Sequence, residues 1–503
     1  MAVHLFAAID VGSYDLQMMI YQIHPSGKIA FIEHLRKIVA AGQDTYLSGR
    51  LSYRYVDEIC QILKEFKQKI EEYAIDDYLA YGTSALREAE NRDIILDQIE
   101  VRTGIKVQVL SNSEQRFLCY KAIALRENEF QTIIKKGTAI ADIGSGSLQL
   151  SLYDKDALVT TQYMRLGAVR ILAHLSDLNQ EISEMTKLIE EMVDDDLKTF
   201  KRMYIKDREI KNIIATGQCA LYLGRNQDKL TKQQFMQVYD KVITRSTYEL
   251  SKELDVPVEH AKLMLPSMII YKKLLELTQA EMLWLPGVSL CDGIVADYAE
   301  KKKYIKFTHD FSEDIVAAAR HISKRYMGNK KHTQNLEKTA LLIFDSMKRY
   351  HGMGKRERLL LQISAILQDC GKFVSLSNSA DCAYNIIMST EIIGLSHNER
   401  EIVANIVRYN TTGYDYKRAM ENKGGKHAAL ITAKLVAILM IVNGMDRSYK
   451  QKFDSIKCVL KNHELLITTD SVEDITLEQS LFQSKADFFE EVYGIRPILK
   501  RKK

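Results

Sequence analysis

The sequence predicts an α/β fold made of two related halves, followed by a helical region and a small C-terminal α/β piece. Three observations carry that expectation. Short strand-like runs alternate with amphipathic helical runs from residue 1 to about 300. The stretch AIDVGSYDLQMMIY, residues 8–21, recurs as ADIGSGSLQLSLY, residues 141–153. Asp10/Asp142, Gly12/Gly144, Ser13/Ser145, Leu16/Leu148, Gln17/Gln149 and Tyr21/Tyr153 fall at matched spacing. From about Tyr304 the texture changes to almost continuous helix.

Taken in order, LFAAIDV, LQMMIYQIH and KIAFIEHLRKIV read as a meander of strands. YVDEICQILKEFKQKIEEYAI places apolar residues three and four apart, as a helix does. DYLAYGTSAL and KVQVLS read as buried strands leading into helices. The second unit starts near Lys136, passes through REIKNIIATGQCALYLG and ends at AEMLWLPGVSLCDGIVADY. EDIVAAARHISKRYMG, HTQNLEKTALLIFDSMKRYH, ERLLLQISAILQDCGKF and NEREIVANIVRYN are helices. With only five prolines in the chain, their breaks rest on Gly, Asn and Ser. KCVLKNHELLITTD returns to strand character. The expected domains are 1–134, 135–302, 303–450 and 451–503, and the basic tail ILKRKK is expected to be a solvated end.

Composition narrows the function. The 503 residues are 46% hydrophobic and 27% charged, ordinary for a globular protein. A formal charge of +4 from 70 basic and 66 acidic residues makes no electrostatic case for nucleic acid as partner. No run approaches the roughly 18 uninterrupted apolar residues of a membrane span, and MAVHLFAAIDVGS lacks a signal-peptide pattern. Seven cysteines without a CxxC pair read as reduced thiols, so a cytoplasmic location without a membrane partner is expected.

The repeated Asp-x-Gly-Ser hairpin has a chemical reading. A tight Gly/Ser turn leaves backbone N–H groups free to cradle a phosphate, and the Asp at the strand end can hold a divalent cation or a water. Two copies suit a phosphate chain gripped from both sides. A third turn, IIATGQCA with Gly217, also ends a strand run, where open α/β sheets place ligands. Together these outline duplicated actin-like ATPase (ribonuclease H-like) domains.

AAIDVGS, YGTSALREAENRD, VLSNSEQRFL, ADIGSGSLQL, RLGAVRIL and IIATGQ, in this order, resemble the exopolyphosphatase/guanosine pentaphosphate phosphohydrolase (Ppx/GppA) family. The helical region resembles that family's HD-type domain. The resemblance implies hydrolysis of a terminal phosphoanhydride bond in polyphosphate or guanosine pentaphosphate, usually with Mg2+, and a homodimer. It places Gly12, Ser13, Gly144, Ser145, Gly146, Ser147 and Gly217 in phosphate-facing turns, and Asp10 and Asp142 as the acidic, metal-holding residues that open them. Arg87 is the implied phosphate-binding guanidinium. Arg165 falls in another family segment.

The departures bear on the same chemistry. The family's Ser-Gly-x-Glu-Glu-Ala-Arg is here SNSEQRF, so the general-base glutamate is Gln115, a neutral amide that can orient water but take no proton. Glu114 next to it points about 100° away around a helix. Gln149 replaces a second glutamate, Tyr14–Asp15 replace an Asn–Ser pair on the phosphate path, and Cys291–Asp292 replace Arg–Glu. An aspartate at position 15 would repel phosphate unless a metal intervened. In the HD-type region His332 and Asp369 remain, but the other ligand positions hold Gln368, Cys382 and Asn410. Two ligands make a poor metal site, so the region reads as structural, with His332 partly exposed. The expected function is a phosphohydrolase with weakened or altered activity, with Gln115, Glu114, Gln149 and Arg87 in its catalytic region. The alternative is a non-catalytic binder of polyphosphate or nucleotide.

Overall fold

The structure, a computed structural model, describes residues 3–176, 178, 181–420, 424–453 and 455–501, the side chains of 127, 128, 419 and 420 aside. It divides into two compact units, Met1–Asp310 and Phe311–Lys503.

In the first unit, β1 (His4–Val11), β2 (Asp15–Ile23) and β3 (Ile29–Ile38) form the expected antiparallel meander. Parallel strands β4 (Asp77–Gly82) and β5 (Val107–Val109) complete a sheet of order β3-β2-β1-β4-β5. The second half repeats the plan. β6 (Thr138–Ile143), β7 (Leu148–Asp154) and β8 (Ala157–Met164) form the meander, and β9 (Asn212–Thr216) runs parallel to β6. An antiparallel hook, β10 (Lys229–Thr231), lies beyond β11 (Met282–Trp284), giving the order β10-β11-β9-β6-β7-β8.

Central strands β1 and β6 are buried almost throughout, because helices cover both faces of their sheets, so they read as apolar runs rather than alternations. The helix Tyr53–Glu72 buries Val56, Ile59, Leu63, Phe66 and Ile70 on one stripe and leaves its charges outside. Each such side chain contributes about 1.5–3 kcal/mol on burial. Register carries the duplication to the atomic level: Asp10 pairs with Gln17 across the first hairpin and Asp142 with Gln149 across the second. The turns close alike, Gly12 N–H donating to Asp15 O (3.1 Å) and Gly144 N–H to Ser147 O (2.9 Å).

The second unit opens with helices Phe311–Arg325, Lys330–Ser346, Lys355–Leu367, Ser379–Ser389 and His397–Thr412. Next comes Gly425–Met445, which is long and apolar enough to cross a membrane by composition, yet 72% of its apolar window is buried against the rest of the protein. A hairpin follows, β12 (Ile456–Lys461) and β13 (Glu464–Thr469), turning on Asn462 and His463, both at positive φ as a two-residue turn requires. The helix Thr476–Tyr493 leads to β14 (Arg496–Arg501).

Two expectations change here. The tail is not a solvated end up to Arg501: β14 pairs in parallel with β13 and buries Pro497 and Leu499. His332 is not partly exposed either. It is fully buried, 2.7 Å from Asp446 Oδ2 through Nδ1, and its ring stacks on Tyr449 with 3.7 Å between centroids. Asp446, 114 residues downstream, supplies the partner that allows an imidazole into this core.

Candidate functional site

The two Asp-x-Gly-Ser turns face one cavity of 140 Å3 in the first unit. Gly12, Ser13, Gly144, Ser145, Gly146, Ser147 and Gly217 all line it, together with Asp10, Asp142 and Gln115. Among the described residues, the N–H groups of Ser13, Ser145 and Gly146 have no backbone acceptor, which leaves donors for an anion. Gly217 holds φ at 97°, and a side chain there would collide with Ile143 O. A Cβ on Gly146 would collide with Tyr46, whose hydroxyl lies 2.8 Å from Ser84 Oγ. Ser84 Oγ in turn lies 2.7 Å from Ser13 Oγ, so the hydroxyls of the first half are fixed by one another.

The two carboxylates have unequal surroundings. Asp10 Oδ2 accepts from Gln17 Nε2 at 3.0 Å, while Asp10 Oδ1 is buried without a hydrogen-bond partner. Burial pushes the Asp10 carboxyl up to about 7, and the nearby Asp15 and Asp142 add to the rise. Asp142 Oδ1 accepts from Thr216 Oγ1 at 3.0 Å, and burial raises Asp142 as well. Two hard oxygen donors, one with an orphaned atom, fit the requirements of Mg2+, which takes one or two carboxylates and completes its shell with water and phosphate oxygens. Among the described residues no group of three or more His, Cys, Asp or Glu forms a cage for a metal. Cys119 and Cys219 also line the cavity, but burial raises Cys119 well above its ordinary value and Cys219 to about 12, so neither supplies a thiolate.

The remaining expected residues divide. Gln115 reaches the cavity, its Oε1 accepting from Arg87 Nη1 at 3.1 Å. Arg87 also donates to Leu110 O at 2.9 Å, which places it behind Gln115 and off the cavity lining. Glu114 is used elsewhere. Its Oε2 accepts from Ser111 N–H (2.9 Å) and Ser111 Oγ (2.7 Å), and Ser111 Oγ accepts from Glu114 N–H, a reciprocal cap on the helix Asn112–Ala124. Gln149 lies off the lining too, its Oε1 accepting from Arg116 Nε at 3.0 Å while its Nε2 has no partner. Cys291 packs with Sγ 3.5 Å from Ala8 O, and Asp292 caps its helix at Ser289 and accepts from Tyr21 Oη at 2.9 Å.

The expected repulsion at Asp15 is corrected by residues absent from the motif. Arg36 pairs with the Asp15 carboxylate, and His260 Nε2 lies 3.5 Å from it. Burial alone would raise Asp15, but the bonds from His260 and Arg36 outweigh it and hold the carboxyl below its ordinary range. Tyr222 completes the group with a hydrogen bond to His260 Nδ1. Tyr14 donates to Glu259 O at 3.0 Å. Both replacements on the expected phosphate path therefore tie the first half to the second.

Arg116, Arg170 and Tyr46 were not singled out by motif. Arg170, five residues beyond Arg165, donates to Gly146 O (2.8 Å) and pairs with Glu88 (2.7 Å), whereas Arg165 is exposed. Gly167 at the start of the helix Ala168–His174 was the available signal, since it marks where the chain turns inward.

With this geometry in place the comparisons are specific. A model of the Ppx/GppA phosphatase family matches residues 19–302, and one of domain III of Ppx/GppA phosphatase matches 316–485. The chain belongs to the Ppx/GppA phosphatase family. Among curated relatives, the guanosine-5'-triphosphate,3'-diphosphate pyrophosphatase of Photobacterium profundum is 21% identical over 420 residues, 80% of each chain. Exopolyphosphatase 1 of Mycobacterium bovis is 24% identical over 163 residues, 32% of this chain and 46% of that one. Of solved structures, the exopolyphosphatase of Cytophaga hutchinsonii superposes with a TM-score of 0.53 at 16% identity, covering 60% of this chain and 98% of that one. That likeness establishes the α/β fold typical of Ppx/GppA proteins.

Proposed function

We propose that this Ppx/GppA protein is a slow phosphohydrolase that cleaves the terminal phosphoanhydride bond of polyphosphate or guanosine pentaphosphate. The observation that carries the reading is the single cavity onto which both Gly/Ser turns and both aspartates open. The turn N–H groups and the hydroxyls of Ser13 and Ser147 bind the terminal phosphate. Gln115, oriented by Arg87, positions the attacking water through its amide. Asp10 and Asp142 would hold Mg2+, which when bound would supply positive charge to the phosphate oxygens. Because Gln115 cannot take the water's proton, the proton passes to a substrate oxygen, and turnover is slow.

A second reading, a non-catalytic binder of the same anions, is favoured by Glu114 and Gln149, whose side chains are spent on a helix cap and on Arg116. Phosphate release from long-chain polyphosphate and from guanosine pentaphosphate, with Mg2+, separates the two. Slow release supports the hydrolase, while saturable binding with no release supports the binder. Glu114→Ala is expected to leave phosphate release unchanged and to lower stability by about 0.5–2 kcal/mol through the lost cap. Abolished release in a folded Glu114→Ala protein would make Glu114 the base instead.

A further inference from the structure

A second cavity, of 190 Å3, lies wholly within the unit Phe311–Lys503, and Asn410, Asn443, Arg447 and Lys485 are among its lining residues. Asn410 is only 2% exposed. Its Nδ2 donates to Gln368 Oε1 at 3.0 Å, and its Oδ1 has no hydrogen-bond partner.

The direction of that amide follows from its neighbours. Asp446 is an acceptor, so the His332 nitrogen 2.7 Å from it, Nδ1, carries the proton. Nε2 of the same ring faces Gln368 Nε2, 2.6 Å away, and with an amide N–H as its partner it is the acceptor. Gln368 thereby turns its Oε1 to Asn410, which must present Nδ2 to it and leave Oδ1 over as an acceptor. The line from Asp446 to Asn410 thus fixes an unanswered acceptor beside the cavity, and a buried acceptor of this kind calls for a donor. Arg447 is exposed and Lys485 half-buried, and among the described residues neither makes an ion pair or a side-chain hydrogen bond. An acceptor with two unpaired cations beside it is the complement of a molecule that carries both a donor and an anion.

We infer that this cavity binds a small phosphorylated compound, presenting a hydroxyl or amino group to Asn410 Oδ1 and its phosphate to Arg447 and Lys485. Its 190 Å3 leaves room for a phosphorylated ribose, free or as part of a nucleotide.

Hydrogen exchange on the full chain locates the binding, with ribose 5-phosphate, guanosine 5'-monophosphate and inorganic phosphate as separate probes. Ribose 5-phosphate is expected to protect the backbone around 404–412 and 440–447. The paired changes Arg447→Ala and Lys485→Ala are expected to weaken it about tenfold or more at unchanged Tm. Guanosine 5'-monophosphate protecting the same segments makes the ribose phosphate portion the recognised element, and its failure beside ribose 5-phosphate makes the free sugar phosphate the ligand. Protection confined to residues 1–310, undiminished protection in the double variant, or equal protection by inorganic phosphate overturns the proposal.

Discussion

Gln115→Glu is expected to accelerate phosphate release by about 10²- to 10⁴-fold, the usual contribution of a positioned general base. The substitution keeps the shape of the side chain and its contact with Arg87 Nη1 at 3.1 Å, now as a charge-assisted bond. The new carboxylate opens onto the cavity lined by both Gly/Ser turns. Adding Gln149→Glu is structurally mild, because Gln149 Nε2 has no acceptor to lose and Arg116 Nε at 3.0 Å stands ready to pair with the new charge. Steady-state release from polyphosphate measures both. An increase in kcat with little change in KM is the signature of a base gained, since ground-state binding is untouched. No increase in a folded Gln115→Glu protein with Mg2+ present would sink the idea that a missing base limits this site. Activity appearing in the double variant over an inert parent would establish the chain as a binder that has lost its chemistry.

Stability is expected to fall as pH rises from about 4 to about 7, and Asp10→Asn is expected to remove most of that dependence. Asp10 binds its proton more tightly folded than unfolded, since burial carries it from an ordinary 3.8 to about 7. The stabilising contribution is therefore complete below the unfolded value and is lost as pH climbs through the folded one. At 1.36 kcal/mol per pH unit the effect is about 4 kcal/mol for Asp10 alone. Asp142 is displaced in the same direction and adds to the slope, whereas Asp15 is displaced downward and acts only in more acid solution. Urea unfolding of the Mg2+-free protein at pH 5 and pH 8 checks this. The Asn variant is expected to be the more stable of the two at pH 8 and nearly equal to the parent at pH 4. A parent with equal stability at pH 5 and pH 8 would contradict it.

How much of this was legible depends on how far apart in sequence the partners lie. The twin hairpins were readable because each Asp, its Gly/Ser turn and the glutamine opposite sit within eight residues, and strand alternation fixes their register. The gain of Tyr14 and Asp15 was visible, but its meaning was not. Asp15 is paired with Arg36 and lies beside His260, 21 and 245 positions away, so no local spacing shows that its charge is answered within the protein. Glu114 was visible as an acid beside Gln115, and its Ser111 partner three residues earlier spells a capping box that could have been read directly. Arg170 and Arg165 differ in facing rather than in type, and facing is set by the packing of the helix Ala168–His174. The burial of His332 is set in the same way, since it depends on Asp446.

The clasp between the two halves has a kinetic consequence. Tyr14 to Glu259, Asp15 and Arg36 to His260, and Arg170 to Glu88 all span them, over a space of only 140 Å3. If a phosphate chain enters by parting the two halves, these bonds must break first, and capture is then expected to be paced by opening of the protein, below the ~10⁵–10⁷ M⁻¹s⁻¹ typical of open, preformed surfaces. The same bonds would re-form behind it and delay its departure. Slow exchange and long occupancy are the temporal character expected of a ligand held between these halves.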